Sequence, residues 1–571
     1  MPELEEPTQP EWLRQPSVPS VPPVPEPVEP SQPVEAAVPL EPEEPAAPLE
    51  PPAPEPLLPP SNDPTGQVFV EPDDAPPPTT EIDTDAVQRP SALRTATVVS
   101  GRVILGFVIL AIVAAVVAAA TLVRLPGVHA SPVSTIVHPV ATPEQLVCPG
   151  GLLRLGTTSG ADATTASAIG SPQVSSGAVP DGVLPQAFAS SDANTGDTSA
   201  APLLLTTPPV AVGSPPAQLS GAQSQSVSTG DFSGLASSAC LPASGSTWLV
   251  GGATQTGRTT LLLLANPTDV AASVDVQVYG ESGQVSASGM DGIAVKAGSQ
   301  RVLSIAGFAP GIQSPVVHVT SSGGQVVASL EQSTVRGLDP GGVDFVSGQN
   351  LPAATVVIPG VVVTATAAIS GDLGQTDYQD LQTALRLFAP SGKSTTVTIT
   401  VLDESGTVTG SPTTAKVGAG VVTDLPLDTL SDGKYTILVT AKIPVVASVR
   451  VSTVGSAAVN DTSDFAWVTA APLLTANTLV AVAPDMDAII HLDNPTSADE
   501  TVRLRSLDGR TLTATVEANS ATSVAVVAGT SYELEGFTGL YASVSGTTDG
   551  GVTSYPVVPA APAVGPLRVY G

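Results

Sequence analysis

The stretch "LLLLANPTDVAASVDVQVYGESG", residues 261–283, contains an apolar run, an Asn-Pro break and then a strict alternation of apolar and polar residues. Alternation at period two predicts a strand with one buried and one solvent-facing side. The proline ends the first run because it has no N–H to donate, and glycine allows the positive φ of a tight turn. The stretch therefore predicts two strands joined by a short turn, with a second turn at Gly283.

The pattern returns twice, which marks it as part of an internal repeat. The later copies are "TALRLFAPSGKSTTVTITVLDESG" (383–406) and "AIIHLDNPTSADETVRLRSLDG" (488–509). From the residue before proline to the closing glycine the spacing is 17, 17 and 15 residues, in Asn266–Gly283, Ala389–Gly406 and Asn494–Gly509. The residue before proline changes while strand, break, alternation and turn persist, so the shared requirement is for folding.

The repeat also predicts the fold class. Each copy covers roughly a hundred residues with about six to eight short strands and no helical period, which favours an Ig-like β-sandwich. We therefore expect an all-β exported region of three tandem Ig-like β-sandwich repeats. A single three-sheet β-solenoid is the alternative.

The N-terminal segment has a different composition. Residues 1–102 hold 27 of the 58 prolines and 19 acidic residues against four arginines. Such a segment has too little apolar area to offset the entropy of ordering, so it predicts a disordered, extended, acidic tail.

A membrane span is predicted next. Residues 103–123, "VILGFVILAIVAAVVAAATLV", are 21 consecutive uncharged and mostly apolar positions, and a helix of that length matches the roughly 30 Å hydrocarbon core of a bilayer. Three arginines precede the span closely and one follows it, which places the tail in the cytoplasm and the C-terminal region outside. The alternative is a cleaved signal peptide, with Val128 and Ala130 as its small-residue site.

The chain has two cysteines, Cys148 and Cys240, both on the predicted exported side. An even pair in an oxidising compartment predicts a disulfide, with two free buried thiols as the alternative. The surrounding residues are rich in Ser, Ala, Gly, Thr and Pro and show no sustained period, which indicates a stalk or an irregular first module.

These patterns together divide the chain into six regions. They are a disordered acidic Pro-rich cytoplasmic tail (1–102), a transmembrane helix (103–123), a stalk or irregular first module with the cysteine pair (124–245), and β-sandwich repeats 1 (246–351), 2 (352–471) and 3 (472–571).

The sequence offers no coherent set of catalytic or metal-binding residues. The four histidines have no partner at metal or triad spacing, and the HExxH, GxSxG and P-loop patterns are missing. Asp372, Asp377 and Asp380 could supply oxygen ligands to Ca²⁺, although carboxylates in the loops of an acidic protein need no ion. We expect no enzyme activity, no cofactor and no metal. Residues 131–571 have a net charge of −18, which argues against nucleic acid as a ligand.

Three stretches carry a resemblance to a known family: "VCPGG" (147–151), "ACLPASGSTWLVGG" (239–252) and "GRTTLLLLANPTDVAASVDVQVYGESG" (257–283). The chain resembles the actinobacterial single-span exported envelope proteins of an uncharacterised family, a domain of unknown function, over about residues 100–571. This resemblance implies an anchored envelope protein of a high-GC Gram-positive bacterium, and it transfers no catalytic residues.

We therefore expect a non-enzymatic, membrane-anchored extracytoplasmic scaffold whose partners are other envelope proteins. The alternative is an accessory protein that binds a cell-wall or capsular glycan. Sugars usually stack on exposed aromatic rings, and the candidates for stacking are Tyr279, Tyr378 and Tyr555. Trp248 and Trp467 are expected to pack in the core instead.

Overall fold

The computed structural model describes residues 106, 108–115, 134–137, 143–156, 166–194, 198–209, 217–349, 351–455, 462–559 and 567–570. The predicted tail (1–102) and most of the predicted span (103–123) lie outside the described residues. Residues 106 and 108–115 are helical, and among the residues described no helix has the length and apolar character needed to cross a membrane. The chain divides into two units, Met1–Pro126 and Gly127–Gly571, and the strands below belong to the second.

The region predicted as a stalk or irregular module contains three three-stranded sheets, ordered β2-β9-β6, β11-β10-β5 and β3-β4-β8. We call residues 145–239 the first module. The strand bounds are β1 (Ser134–Val137), β2 (Gln145–Cys148), β3 (Leu153–Leu155), β4 (Ala166–Ala168), β5 (Gln173–Val179), β6 (Leu184–Ala187), β7 (Ala189–Ser190), β8 (Ala193–Asn194), β9 (Leu203–Thr206), β10 (Gln218–Ser228) and β11 (Ser233–Ala239).

The second module, residues 246–346, has two facing sheets. One is ordered β12-β18-β14-β15, with β16 also paired to β14, and the other β20-β19-β13-β17-β7. The bounds are β12 (Ser246–Val250), β13 (Arg258–Asn266), β14 (Ala272–Gly280), β15 (Gly283–Val285), β16 (Ile293–Val295), β17 (Ser299–Ser304), the 3-10 turn Ile305–Gly307, β18 (Val316–Gly323), β19 (Val327–Arg336) and β20 (Asp339–Val346).

The third module, residues 353–469, is built around one long strand, β26, which spans 22 residues. Its first half pairs with β21 and β23, and its second half pairs with β22 and β27. The bounds are β21 (Ala353–Val363), the helix Thr366–Asp372, the 3-10 turn Gln379–Leu381, β22 (Ala384–Phe388), β23 (Thr395–Asp403), β24 (Thr413–Val417), β25 (Thr423–Pro426), β26 (Gly433–Val454) and β27 (Ser463–Thr469).

The fourth module, residues 478–556, has sheets ordered β28-β33-β30-β31 and β32-β29-β34-β35. After it, β36 returns to pair antiparallel with β1. The bounds are β28 (Thr478–Ala481), β29 (Asp487–Asn494), β30 (Glu500–Ser506), β31 (Thr511–Val516), β32 (Ser520–Val526), β33 (Ser531–Glu535), β34 (Tyr541–Thr548), β35 (Gly551–Pro556) and β36 (Leu567–Tyr570).

One strand order recurs in all four modules. The three-strand orders β12-β18-β14 and β20-β19-β13 of the second module correspond to β2-β9-β6 and β11-β10-β5 of the first, and to β28-β33-β30 and β35-β34-β29 of the fourth. In the third module β26 supplies both central strands. The predicted all-β class, with sandwich-like sheets, is confirmed.

The opening stretch of the sequence forms β13, a turn and β14. In β14 the buried residues alternate with exposed ones, as the period-two pattern predicts. The side chain of Asn266 is buried in the turn, where its Oδ1 accepts from the Thr268 N–H at 2.9 Å and its Nδ2 donates to the Val270 carbonyl at 2.8 Å. Asn494 makes the corresponding bonds in the fourth module. Ala389 of the third module has no such side chain. The asparagine therefore stabilises its own turn and is not a site common to all copies of the repeat.

The modules complete one another's hydrophobic cores. Phe465 and Trp467, from the last strand of the third module, pack into the core of the second module. Val552, from the last strand of the fourth module, packs into the core of the third. Leu235 of the first module lies in the core of the fourth. Phe345 of the second module packs with residues of the first, so each of the four last strands belongs to two modules.

Buried carboxylates join these last strands. Asp464 in β27 accepts hydrogen bonds from the N–H groups of Leu235 (2.9 Å), Val343 (3.1 Å) and Val552 (3.1 Å), which lie in the last strands of the other three modules. At Gly342, with φ of 110°, a Cβ would lie 2.8 Å from the Asp464 carboxylate, so glycine leaves the room that the carboxylate needs. We call β11, β20, β27 and β35 with Asp464 the hub.

Candidate functional site

An open cleft of about 720 Å³ lies between the second and third modules. Its wall is polar, and the described lining residues include five glutamines: Gln255, Gln313, Gln332, Gln379 and Gln382. It also includes three arginines, Arg258, Arg386 and Arg450. A concave site of this volume is in the usual range for small ligands, which is about 300–1,000 Å³.

Pairing of adjacent strands brings the basic residues together. Arg258 begins β13 and Arg336 ends β19, and these two strands pair in antiparallel register. Arg386 in β22 and Arg450 in β26 lie on neighbouring strands, with Ala384 opposite Arg450. The two modules therefore place three guanidinium groups in the wall of one cleft, with that of Arg336 beside them through its ion pair with Asp380.

Asp380 sits at the centre of three of them. Its carboxylate lies 2.6 Å from Nη2 of Arg336, 3.2 Å from Nη2 of Arg258 and 3.4 Å from Nη2 of Arg450. Burial would raise the pKa of Asp380, but the charges of Arg450, Arg336 and Arg258 outweigh it and lower the pKa to about 2. Asp380 is therefore ionised at every physiological pH. Its position in the 3-10 turn also fixes the segment before β22 against the second module.

Arg386 has its own partner. Its Nε and Nη2 donate to the two oxygens of Asp424, both at 2.9 Å, and its Nη1 donates to the Gly252 carbonyl at 2.8 Å. The guanidinium also lies 4.6 Å from the centre of the Trp467 ring. This paired arginine joins the modules and needs no ligand.

Arg450 is the least satisfied of the four. Its guanidinium stacks over the Phe465 ring at 4.5 Å, and its Nε is buried without a hydrogen-bond partner among the residues described. Burial lowers the pKa of Arg450 to about 10, with Asp380 acting in the opposite direction. Even so, Arg450 is positively charged at neutral pH.

In and beside the cleft positive charge exceeds negative charge by one, since Arg258, Arg336, Arg386 and Arg450 face Asp377, Asp380 and Asp424. Three guanidiniums share the single carboxylate of Asp380, and their side chains are only 8% (Arg258), 3% (Arg336) and 8% (Arg450) exposed. The nearby Asp377 is exposed; its carbonyl accepts from Arg258 (2.6 Å) and Arg336 (3.1 Å). Its carboxylate takes part in no ion pair within the described part of the chain. In a protein with a net charge of −32, this concentration of positive charge can hold an anion.

The cysteines behave as the sequence predicts. Cys148 and Cys240 form a disulfide in the core of the first module. Cys148 ends β2 and Cys240 follows β11, so the bond ties the first strand of the module to its last. The alternative of two free thiols is excluded.

The three candidate stacking tyrosines are not brought together. Tyr279 is partly buried between modules, with its ring 4.5 Å from that of Phe388. Tyr378 lies beside the cleft, where the Arg336 guanidinium is 5.0 Å from its ring centre. Tyr555 is buried in the fourth module and its hydroxyl donates to the Ala481 carbonyl at 3.0 Å. The core of that module covers its ring, so the ring has no open face on which a sugar could stack.

Trp248 and Trp467 are both buried, as expected. The residues considered as Ca²⁺ ligands do not converge: Asp380 is taken by arginines, and no group of three or more His, Cys, Asp or Glu side chains suited to a metal is found within the described ranges.

The arginines of the cleft were missed by sequence reasoning. A signal for two of them is visible in "TALRLFAP" and "VASVRVST", where Arg386 and Arg450 interrupt otherwise apolar strands. A charged residue at a buried strand position must find a partner. The sequence does not show which partner, because Asp424, the partner of Arg386, lies in another strand, and Asp380, the partner of Arg450, lies in an inserted turn.

Comparison with known proteins gives a family but no activity. Residues 191–528 match the model of a family of unknown function, DUF5719, in agreement with the resemblance to an uncharacterised family. No curated protein matches the chain.

Two solved structures are similar at a low level. The crystal structure of a tetra-tandem repeat in the extending region of a large adhesion protein is 16% identical, with 68% of this chain and 92% of that chain covered and a TM-score of 0.09. The BSP domain of a biofilm-associated protein is 10% identical, with 77% and 100% covered and a TM-score of 0.10. Such scores carry no argument about this chain.

Proposed function

The chain belongs to the DUF5719 family, and from this premise we propose that it is a non-enzymatic extracytoplasmic scaffold or interaction protein of the bacterial cell envelope. In this proposal residues 103–123 anchor it in the cell membrane as a single-pass protein. The acidic tail is cytoplasmic and the β-modules are outside. Its partners are other envelope proteins.

The observation that supports the scaffold role is the hub. Since each last strand contributes to two modules, the modules cannot turn independently, and their outer surfaces are held at fixed spacing. Fixed surfaces on a rigid body let a protein hold several partners in one geometry. The disulfide between Cys148 and Cys240 supports an oxidising, extracytoplasmic location.

A second candidate function is binding of a cell-wall or capsular glycan. The cleft favours it, because amide and guanidinium side chains are suitable donors for sugar hydroxyls and acidic groups. Tyr378 beside the cleft adds an aromatic ring.

Site-specific photo-crosslinking in cells tests the scaffold proposal. The probe replaces Leu338 or Leu351, which are large apolar residues 89% and 80% exposed; a probe at buried Leu249 is the matched control. We expect one envelope protein captured in high yield from an exposed position and none from the control. If neither exposed probe captures a protein and the full-length chain sediments with isolated cell wall, the glycan function replaces the scaffold.

A further inference from the structure

We propose that the cleft between the second and third modules binds an acidic saccharide, with the anionic group of the sugar beside Arg450. This inference rests on the glycan-binding candidate and gives it a site and a ligand class. The anionic group is a carboxylate or a phosphate, and the remaining sugar hydroxyls face the glutamines of the wall.

The charge of the site is the first argument. Arg258, Arg336 and Arg450 are each nearly buried and share one carboxylate, that of Asp380. Buried ions are costly unless each is paired. With the exposed carboxylate of Asp377 in the cleft wall counted, the three arginines carry one positive charge that is not balanced. A ligand with a negative group would balance that positive charge, whereas a neutral ligand would leave it unbalanced.

The unpartnered Nε of Arg450 is the second argument, and it is independent of the charge count. This buried donor lies in a residue that lines the cleft, and the neighbouring Nη2 reaches Asp380 only at 3.4 Å. The Nε and one Nη of a guanidinium form an edge that matches two oxygens of a carboxylate or phosphate. Arg450 is therefore the residue beside which we place the oxyanion, which reaches the buried Nε only if the side chain shifts.

The rest of the wall fits a sugar better than a simple ion. Five glutamines provide both donors and acceptors around a volume of about 720 Å³, far more than one carboxylate fills. Tyr378 flanks this region through its contact with Arg336, and aromatic rings beside polar groups suit sugar rings. The strongly negative charge of the whole chain opposes large polyanions such as nucleic acid, so the ligand carries few charges.

The experiment is isothermal titration of the purified full-length chain with trigalacturonate. Maltotriose is the neutral control and inorganic phosphate is the control for a free anion. The variants are Arg450→Gln, which removes the charge; Gln255→Ala, a substitution on the wall; and Arg505→Gln, a matched loss of an arginine that is half exposed in the fourth module. Thermal unfolding of each variant is measured with and without trigalacturonate.

We expect trigalacturonate to bind and to raise the melting temperature of the wild-type chain, and maltotriose to bind at least tenfold more weakly. Arg450→Gln is expected to weaken binding by about 10- to 100-fold, as for other lost hydrogen bonds to charged groups, while Arg505→Gln leaves it unchanged. If Arg450→Gln fails to fold, a loss of about threefold or more in Gln255→Ala supports the site.

Any one of five results would overturn the inference. The first is that trigalacturonate fails to bind the folded wild-type chain, and the second is that it binds folded Arg450→Gln and Gln255→Ala as well as wild type. Phosphate binding as tightly as trigalacturonate would reduce the cleft to a site for simple anions. Equal binding of maltotriose would show that the ligand need not be acidic, while the glycan-binding function would stand. Wall sedimentation that persists in Arg450→Gln would likewise keep that function and move it to another surface.

Discussion

Replacement of Asp464 tests whether the hub holds the modules together. Asp464→Ala removes the acceptor of three backbone N–H groups, those of Leu235, Val343 and Val552. A buried donor left without a partner costs about 1–3 kcal/mol, so we expect a loss of about 5 kcal/mol in the free energy of unfolding. Asp464→Asn keeps one carbonyl oxygen and turns its amide toward another donor, which should cost about 2 kcal/mol.

The pH dependence gives a second readout. Burial raises the pKa of Asp464 to about 8, although the hydrogen bonds from Leu235, Val552 and Val343 act against it. In the unfolded chain this carboxyl titrates near its ordinary value of about 4, so folding takes up a proton between these two values. The raised pKa of Asp464 therefore stabilises the folded chain at low pH. This stabilisation is lost as pH rises from about 4 to about 8, by about 1.4 kcal/mol per pH unit.

Asparagine does not titrate, so the free energy of unfolding of Asp464→Asn does not fall with pH in this way. Between pH 5 and pH 7 the stability of wild type relative to Asp464→Asn should therefore fall by about 3 kcal/mol, enough to cancel the cost of the asparagine. Urea unfolding of the full-length chain at pH 5, 6 and 7, followed by tryptophan fluorescence, measures both effects, because Trp467 lies in the same strand. A cost below about 1 kcal/mol for Asp464→Ala, or a gap that stays constant with pH, would refute this account of the hub.

Two further predictions concern the disulfide of the first module and the turn after β29. Replacing Cys148 and Cys240 by serine opens a loop with a sequence separation of 92 residues, and guanidinium unfolding should show a loss of about 4–5 kcal/mol in the chain-entropy model; a loss under 1 kcal/mol would contradict it. Asn494→Ala should cost about 2–3 kcal/mol in the same assay, because the buried amide bonds the turn after β29. The exposed substitution Thr513→Ala is its control, and an equal effect of both would show that the Asn494 bonds contribute nothing.

The fold class could be predicted because the sheets of the repeats bury one face of each strand. Where that holds, as in β14 and β30, the burial pattern follows the alternation in the sequence. The first module was not recognised as a copy because its strands bury polar residues. In β10, Gln223 and Gln225 are buried and accept from the N–H groups of Gly150 and Leu152. Hydrogen bonds to distant segments replace the apolar face there, so no period is visible.

The candidate site lay beyond sequence reasoning for a different reason. Its charges come from four strands and one inserted turn, and Arg258 and Arg450 meet only because two modules are packed together. Asp380 could be singled out as a carboxylate in an acidic loop. Its sequence neighbours give no sign that three arginines surround it, since none of them is close in the chain. The domain boundaries near 246, 352 and 472 stay predictions.

The sharing of last strands limits how this protein can change in evolution. Chains of independent tandem domains lengthen or shorten by gene duplication and deletion, because each domain brings a complete core. Here, loss of one module would take Phe465 and Trp467, or their counterparts, out of a neighbour's core. An added module would find no vacant last strand at the hub. We therefore expect family members to keep the number of modules and to vary in their outer loops.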